Sequence, residues 1–255
     1  MKRLTYSFLC LLVIGCQQKE KPLTDPQIIV DKAIEAHGGP ESANASFEFD
    51  FRERHYSLER KNNLIYYTRI THDSIGEIKD VLINSSKFKR YLNGREVIIS
   101  DERRAAYSSS VNSVLYFAQL PFPLNDGAVN KEFLGLGEVE GNQYYKVKVT
   151  FDQHGGGEDY EDVFCYWINK ETFTVDYIAY SYAETDGIGT RFRKAINRRS
   201  VEGFTFQDYI NYKPIDESVL PPVHEHDDLF KSGQLEELSR IENTNIKMIK
   251  ILANS

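Results

Sequence analysis

Cysteine is scarce in this chain, whose 255 residues include only Cys10, Cys16 and Cys165. If Cys10 belongs to an export leader and Cys16 is modified, as argued below, Cys165 has no cysteine left to pair with. The fold then depends on packing rather than on an intramolecular disulfide, although the compartment is oxidising. Because Cys165 lies in an apolar strand pattern at 163–167, we predict a small buried side chain and not a nucleophile.

Positive charge is also in short supply. The chain has 31 lysines and arginines against 38 acidic residues, a formal net charge of −7. Loss of Lys2 and Arg3 with a leader would lower this charge to about −9, the wrong sign for binding a phosphate backbone. This net negative charge excludes nucleic acid as a partner and argues against a polybasic face that contacts anionic lipids.

Motifs that carry enzyme chemistry are missing from the sequence. There is no G-x-S-x-G elbow, no H-E-x-x-H, no C-x-x-C, and no glycine loop that would cradle a phosphate before a helix. Nor does the chain alternate strands and helices as a β/α-barrel aldolase does. We therefore favour a non-catalytic protein without a cofactor. A hydrolase remains an alternative, because paired carboxylates leave no local signature.

Apolar runs are short as well, since a span of the membrane takes about 20 apolar residues. The run at 8–14 follows Lys2 and Arg3 and has the length and flanking charge of a cleaved export signal. It ends in Val13-Ile14-Gly15-Cys16, which resembles a lipobox, the sequence whose cysteine is diacylated through sulfur before the leader is removed.

A lipobox predicts how the chain is organised and where it resides. Residues 1–15 would be removed, and Cys16 would carry enough acyl chains for stable anchoring. Residues 16–24 would then tether a single domain formed by residues 25–255. Gln17 follows Cys16 where an aspartate would stand in an inner-membrane lipoprotein of some bacteria. By that resemblance we expect a lipid-anchored protein of the bacterial cell envelope, on the outer membrane, whose domain faces the periplasm or the cell exterior.

One helix is predicted at the start of the domain. Thr24-Asp25-Pro26-Gln27 fits a capping box with Thr24 as the cap and proline in the first turn. Apolar residues then recur at helical spacing up to His37, and Gly38-Gly39 ends the helix. His37 on the apolar face is interpreted as a packed or capping residue rather than a ligand.

Beyond this helix the hydrophobic period changes to two, as in half-buried strands. Short turns such as Asn93-Gly94 join them, so neighbours in sequence should pair as an antiparallel meander. The exception is Asp101–Leu120, where helical spacing predicts one or two short helices. The predicted strands are 47–51, 64–71, 78–84, 87–92, Arg95–Ser100, 144–151, 160–168, 173–182, 190–199, 204–212 and Leu235–Ile249. The fold class is therefore mainly β with few α-helices.

This order of elements resembles the LolA/LolB-like superfamily of periplasmic and lipid-anchored proteins. The resemblance rests on Ala36-His37-Gly38-Gly39 at the end of the first helix, the long meander, and Leu120-Pro121-Phe122 at the end of the helical insert. It implies an antiparallel sheet curled into a half-barrel, with helices that plug its open side. It also implies a cavity between sheet and helices, which several members use to hold acyl chains or a hydrophobic partner.

A closer resemblance is to a family of bacterial lipoproteins of unknown function, over most of residues 28–213. It rests on residues 110–117, Asp176-Tyr177 and Asn211-Tyr212. This family implies no established activity.

Two neighbouring strands carry a candidate ligand-binding patch. Strand alternation places Asp176, Tyr180 and Tyr182 on one face of the first strand. It places Arg191, Arg193 and Asn197 on one face of the next. Arginine forks bind carboxylates and phosphates, but cross-strand ion pairing among the same residues explains the pattern equally well.

Two segments are candidate metal sites. In the glycine-rich segment 152–162, His154, Glu158 and Asp159 could contribute to a site for Ca²⁺ or another metal. The spacing is not that of an EF-hand loop or a β-helix nonapeptide, and a solvated hairpin loop is favoured. His224 and His226 would share one face of a strand and could begin a zinc site. An exposed loop after Pro221-Pro222 is the favoured interpretation of that segment.

Taken together, these patterns favour a membrane-anchored module that binds a hydrophobic or amphipathic ligand on the concave face of its sheet. Its partners would be the membrane, through acylated Cys16, and that ligand. The alternatives are a carboxylate- or metal-dependent hydrolase built on the loop at 155–162, and a purely structural or interaction lipoprotein.

Overall fold

The computed structural model describes residues 23–155, 160–184, 187–218 and 220–249. Within these ranges the chain forms fourteen strands and three α-helices, and neighbouring strands pair antiparallel. The strands make two sheets that curl around a shared core without closing. The prediction of a mainly β fold with a curled antiparallel sheet is therefore confirmed.

The first sheet begins with six consecutive strands, each paired with the next. The turns Asn62-Asn63 and Asn93-Gly94 have positive φ at both residues, as two-residue hairpins require, and asparagine and glycine tolerate that conformation. β6 ends at Val97, earlier than the strand predicted over Arg95–Ser100. The strands are β1 (Phe47–Phe51), β2 (Arg54–Lys61), β3 (Leu64–Asp73), β4 (Gly76–Ile83), β5 (Lys87–Leu92) and β6 (Arg95–Val97).

The second sheet is a meander of seven strands in chain order. Its middle strands are apolar on both faces, because one face meets the shared core and the other is covered by a short helix. The strands are β7 (Val129–Val139), β8 (Asn142–Phe151), β9 (Val163–Asn169), β10 (Val175–Glu184), β11 (Gly187–Val201), β12 (Phe204–Pro214) and β13 (Leu235–Ile241).

The last strand links the two sheets. The prediction of one strand over Leu235–Ile249 is wrong in one respect, since the strand is interrupted at Glu242. β13 before it pairs with β12 of the second sheet, whereas β14 (Asn243–Met248) pairs with β1 of the first. The first and last of the described strands therefore pair in one sheet, a pairing that a meander of sequence neighbours does not include.

Asp208 on β12 fixes the point where the chain passes between the sheets. Its Oδ1 accepts a hydrogen bond from the backbone N–H of Asn243, 2.9 Å away, and lies 3.0 Å from a guanidinium nitrogen of Arg199. Arg199 also donates to the carbonyl oxygen of Asn243. A nearly buried carboxylate thus joins the start of β14 to two strands of the second sheet.

Helix α1 (Pro26–Ala36) packs Ile29, Val30 and Ala33 into the core. Its cap is Asp25 rather than the predicted Thr24, because the Asp25 side chain accepts from the N–H groups of Gln27 and Ile28. An aspartate one residue nearer the helix is the better-placed acceptor for these free N–H groups.

The end of α1 docks on the hairpin between β11 and β12. The N–H of Thr205 donates to the carbonyl oxygen of His37, and a Cβ at Gly38 would overlap the carbonyl oxygen of Gly203. His37 is fully buried, and its Nδ1 lies 2.7 Å from the carbonyl oxygen of Ala33. Its interpretation as a packed capping residue agrees with this geometry.

Helix α2 (Asp101–Ala118) is a single helix of 18 residues where one or two short ones were predicted. Val111 and Leu115 anchor it in the core, and it lies against β2 to β5 of the first sheet. Its other side faces the second sheet across two cavities.

Helix α3 (His226–Lys231) covers the convex face of the second sheet together with a 3-10 turn at Val223–Glu225. Phe230 packs there against a second cluster that contains Cys165 and Trp167. His226 and Asp227 are almost completely buried, so the predicted exposed loop at this segment is wrong. No helix in the described part of the chain is long and apolar enough to cross a membrane.

We predict that Asp208→Asn destabilises the domain more than Asp101→Asn. Asp208 is nearly buried, but the side chain of its partner Arg199 is 32% exposed, so weakening the hydrogen bonds of Asp208 should cost about 1–3 kcal/mol. The Asp101–Arg104 pair is exposed and should cost less than about 1 kcal/mol. Urea unfolding measures both free energies. Equal losses in the two variants would show that Asp208 does not hold the junction between the sheets.

We also predict that protonation of His37 destabilises the domain in mild acid. Burial lowers the pKa of His37 from 6.5 to about 4. The unfolded chain therefore binds the extra proton first, and stability falls as the pH drops through the interval between these values. The expected loss between about pH 7 and about pH 5 is about 2 kcal/mol. Urea unfolding at both pH values measures this loss.

The matched variants for this test are His37→Gln and His72→Gln, since His72 is exposed. His37→Gln should flatten the pH dependence, and His72→Gln should leave it as in the wild type. An unchanged slope in His37→Gln would assign the acid sensitivity to other groups.

Candidate functional site

A cavity of about 540 Å³ lies between α2 and the concave face of the second sheet. Small side chains from α2 form one wall, and aromatic side chains from β8, β9 and β10 form the other. The lining residues are Ala106, Ser109, Ser110, Asn112, Ser113, Tyr116, Phe117, Phe151, Glu161, Asp162, Phe164, Tyr180, Tyr182, Ala183 and Arg191. We call this space the larger cavity.

The larger cavity exists because one flank of α2 carries small residues. Ala106, Ser109, Ser110 and Ser113 follow one another at helical spacing and therefore share a side of the helix. None of them is long enough to fill the gap to the second sheet. The sequence of α2 thus leaves space on this side and packs tightly on the side of Val111 and Leu115.

The opposite wall is an aromatic stack. The rings of Phe164 and Tyr180 are parallel to within 17° with centroids 5.2 Å apart, and Phe117 lies 5.1 Å from Tyr180. At the back of the wall the Tyr116 and Tyr166 hydroxyls are 3.1 Å apart. Burial raises the pKa of both phenols, so they remain neutral hydrogen-bonding groups.

Four of the six predicted patch residues come together on this concave face. Tyr180, Tyr182 and Arg191 line the larger cavity. The guanidinium of Arg193 donates to the Tyr180 hydroxyl at 2.8 Å and stacks on Phe117, with its Cζ 3.5 Å from the ring centroid. Arg191 lies over the ring of Tyr182, 5.3 Å from its centroid.

The other two predicted patch residues, Asp176 and Asn197, lie elsewhere. A register shift in β10 between Val175 and Tyr177 takes Asp176 off the shared face, and Asp176 forms an ion pair with Arg198. A second shift in β11 gives Asn197 a positive φ, and its amide donates to Asp208. The predicted alignment of all six residues is therefore wrong, because each bulge adds a residue and reverses the alternation.

A smaller cavity of about 220 Å³ lies on the other side of Phe117, between α2 and the junction of the sheets. Phe117 and Ser113 line both cavities and separate them. The remaining lining residues come from β1, β11, β12, β13 and β14 and from the last turns of α2. They include Phe51, Arg52, Val114, Arg193, Tyr209, Asn211, Ser239, Ile241 and Asn243.

A buried charge cluster beneath α2 was not anticipated from the sequence. Asp80, only 1% exposed, accepts hydrogen bonds from both Arg69 and Arg90 at 2.7 to 3.1 Å. Arg69 also donates to Ser110 on α2, and Arg90 stacks on Tyr107 at 3.6 Å. The three charges lie side by side on β3, β4 and β5, so only the strand register identifies them as partners.

Neither candidate metal segment forms a metal site among the described residues. No group of three or more histidine, cysteine or acidic side chains there converges on one point. His154 lies in an exposed turn, whereas Glu158 and Asp159 are outside the described residues. His224 and His226 are on helical turns rather than on a strand, which removes the basis for the predicted zinc pair. Cys165 is buried as predicted, and burial raises the pKa of its thiol.

The curled sheets, plugging helix and adjoining cavities define a LolA-like fold. The structure is similar to that of a LolA superfamily protein from Nitrosomonas europaea, with a TM-score of 0.51 and 12% identity over 90% of this chain and 96% of that one. It is equally similar to a DUF1329 family protein from Desulfovibrio piger, with a TM-score of 0.51 and 10% identity over 91% of this chain and 96% of the other.

The sequence itself gives the family. The chain belongs to DUF6503, a family of unknown function, whose model matches residues 2–243. No curated protein matches the chain significantly. The predicted likeness to the LolA-like superfamily and to a family of unknown function is thereby confirmed.

Proposed function

We propose that this protein is a membrane-anchored lipoprotein that binds the apolar part of an amphipathic ligand in the larger cavity. The observation that carries the proposal is the shape of this space. The small side chains of α2 leave about 540 Å³ open in front of an aromatic wall, a volume within the range of ligand pockets, about 300–1,000 Å³.

The chemistry of the walls supports an apolar guest. Phe117, Phe151 and Phe164 present ring surface to the cavity, and each methylene that an occupant buries there contributes about 0.8 kcal/mol. The same space is also lined by polar and charged side chains, those of Tyr182, Arg191, Glu161 and Asp162. This mixture fits an amphipathic molecule better than a pure hydrocarbon. Such a module needs no catalytic group, and the LolA-like fold favours a binding or carrier role.

The anchor in this proposal is Cys16. Residues 1–15 act as the leader, residues 16–24 as the tether, and residues 25–255 as the domain that this tether holds near the membrane. Two or more acyl chains on Cys16 give lasting attachment, whereas one chain binds only reversibly. The expected location is the bacterial cell envelope, with the outer membrane favoured by Gln17.

We predict that Ala106→Trp weakens ligand binding and that Ala105→Trp does not. Both residues are exposed, but Ala106 lines the larger cavity, whereas its neighbour Ala105 lines neither cavity. The indole at position 106 would occupy the space of the ligand and should weaken binding at least about tenfold, or about 1.4 kcal/mol. The measurement is displacement of the neutral dye N-phenyl-1-naphthylamine by dodecanol.

The chain from Gln17 onward suits this experiment because it retains each described helix and strand. Circular dichroism checks that both variants fold. If the wild type binds neither dye nor dodecanol, the binding proposal fails, and a structural or interaction role becomes the favoured function. Equal binding by the two variants would place the ligand outside the larger cavity.

We also predict that Cys16→Ser abolishes acylation of the chain and its cleavage before residue 16. The variant lacks the sulfur that accepts the acyl groups, so neither lipidation nor cleavage before residue 16 should occur. Labelling with a radioactive or clickable palmitate, followed by gel electrophoresis, checks both. Cys165→Ser is the matched control and should retain the label. A labelled Cys16→Ser chain would rule out the lipobox.

A further inference from the structure

The smaller cavity has an unusual charge balance. Of the described residues that line it, two are arginines, Arg52 and Arg193, and none is acidic. Asn211, Ser239 and Asn243 add amide and hydroxyl groups to the same walls. The cavity therefore combines two cations with several neutral hydrogen-bonding groups.

Arg193 is the central residue of this cavity. It is only 7% exposed, and the Tyr180 hydroxyl is its one hydrogen-bond partner among the described residues. Its Nε has no partner, and none of the ion pairs found in that part of the chain includes it. Asn211, directly across from it on β12, has an equally unpartnered Oδ1.

Buried cations in proteins are usually paired, because an isolated charge loses its hydration without compensation. Arg69 follows this rule, since it is equally buried and binds Asp80. Arg193, on the concave face of the second sheet, has no such carboxylate among the described residues. Its guanidinium instead lies against the rings of Phe117, Tyr180 and Tyr209, which leave its Nε without a hydrogen-bond acceptor. Asp208 on the neighbouring strand already binds Arg199 and the backbone of Asn243.

We propose that the smaller cavity is an anion-binding site in which Arg193, assisted by Arg52, binds a phosphate or carboxylate group. Its volume of about 220 Å³ admits such a group but is small for a whole amphiphile. The anion could be the head of an amphiphile whose chain occupies the larger cavity beyond Phe117, and this form rests on the proposed function. It could also be a small free anion.

The test uses the chain from Gln17 onward and three probes: inorganic phosphate, dodecyl phosphate and dodecanol. Calorimetry measures phosphate binding, and dye displacement compares the two dodecyl compounds. The wild type should bind dodecyl phosphate about tenfold more tightly than dodecanol. Arg193→Met should abolish this preference, whereas dodecanol, which has no charged head, should still displace the dye. Circular dichroism checks that the variant folds.

Two further variants separate an anion site from a structural role. Arg198→Met removes a cation of the same strand that is paired with Asp176 and lines neither cavity, so the phosphate preference should persist. Arg52→Asn should weaken phosphate-group binding without loss of fold, because Arg52 has a φ of 56°, which asparagine adopts more readily.

The outcomes distinguish the two proposals. Binding of inorganic phosphate without a preference for dodecyl phosphate supports a free anion as the ligand. Phosphate binding without any dodecanol binding keeps the anion site and overturns the proposed apolar cavity. The anion site is overturned if the wild type binds no inorganic phosphate and shows no preference for dodecyl phosphate over dodecanol, or if Arg193→Met only lowers stability and keeps the preference.

Discussion

The hydrogen bonds of Asp208 determine how the two sheets share one core. Asp208 holds the N–H of Asn243 at the residue where the last strand leaves β13 and becomes β14. β14 then pairs with β1 and completes the first sheet. Phe47 of β1 packs against Phe49 on its own strand and against Phe204 and Phe206 of the second sheet. Without this crossing, β1 would be an unpaired edge strand of the first sheet.

Much of this architecture is predictable from the sequence because strand alternation and turn chemistry are local properties. Phe47, Phe49 and Phe51 and the Asn93-Gly94 turn require no knowledge of the rest of the chain. The features that were missed are non-local. The interruption at Glu242 reflects a change of sheet, and the burial of His226 reflects packing against the convex face.

The candidate site also combines features that local sequence patterns predict with features that they do not. Tyr180, Tyr182, Arg191 and Arg193 are brought together as alternation predicts, whereas Asp176 and Asn197 are displaced by bulges that no local pattern announces. The cluster around Asp80 depends on strand register in the same way. Nor does the sequence indicate that Arg193 lacks a carboxylate, because the absence of a partner is a property of the assembled fold. The position of Phe117 between the larger and the smaller cavity is likewise a property of the assembled fold.

The burial of Trp167 has a spectroscopic consequence. It is the single tryptophan of the chain. It lies on the convex face of the second sheet, in a cluster with Cys165, Phe192 and Val223, the last of which belongs to the 3-10 turn that leads into α3. The sheet separates its indole from both cavities on the concave face. Intrinsic fluorescence of the native protein is therefore a reporter of α3 docking, with a blue-shifted emission that changes when this cover detaches and stays constant while the concave face fills or empties.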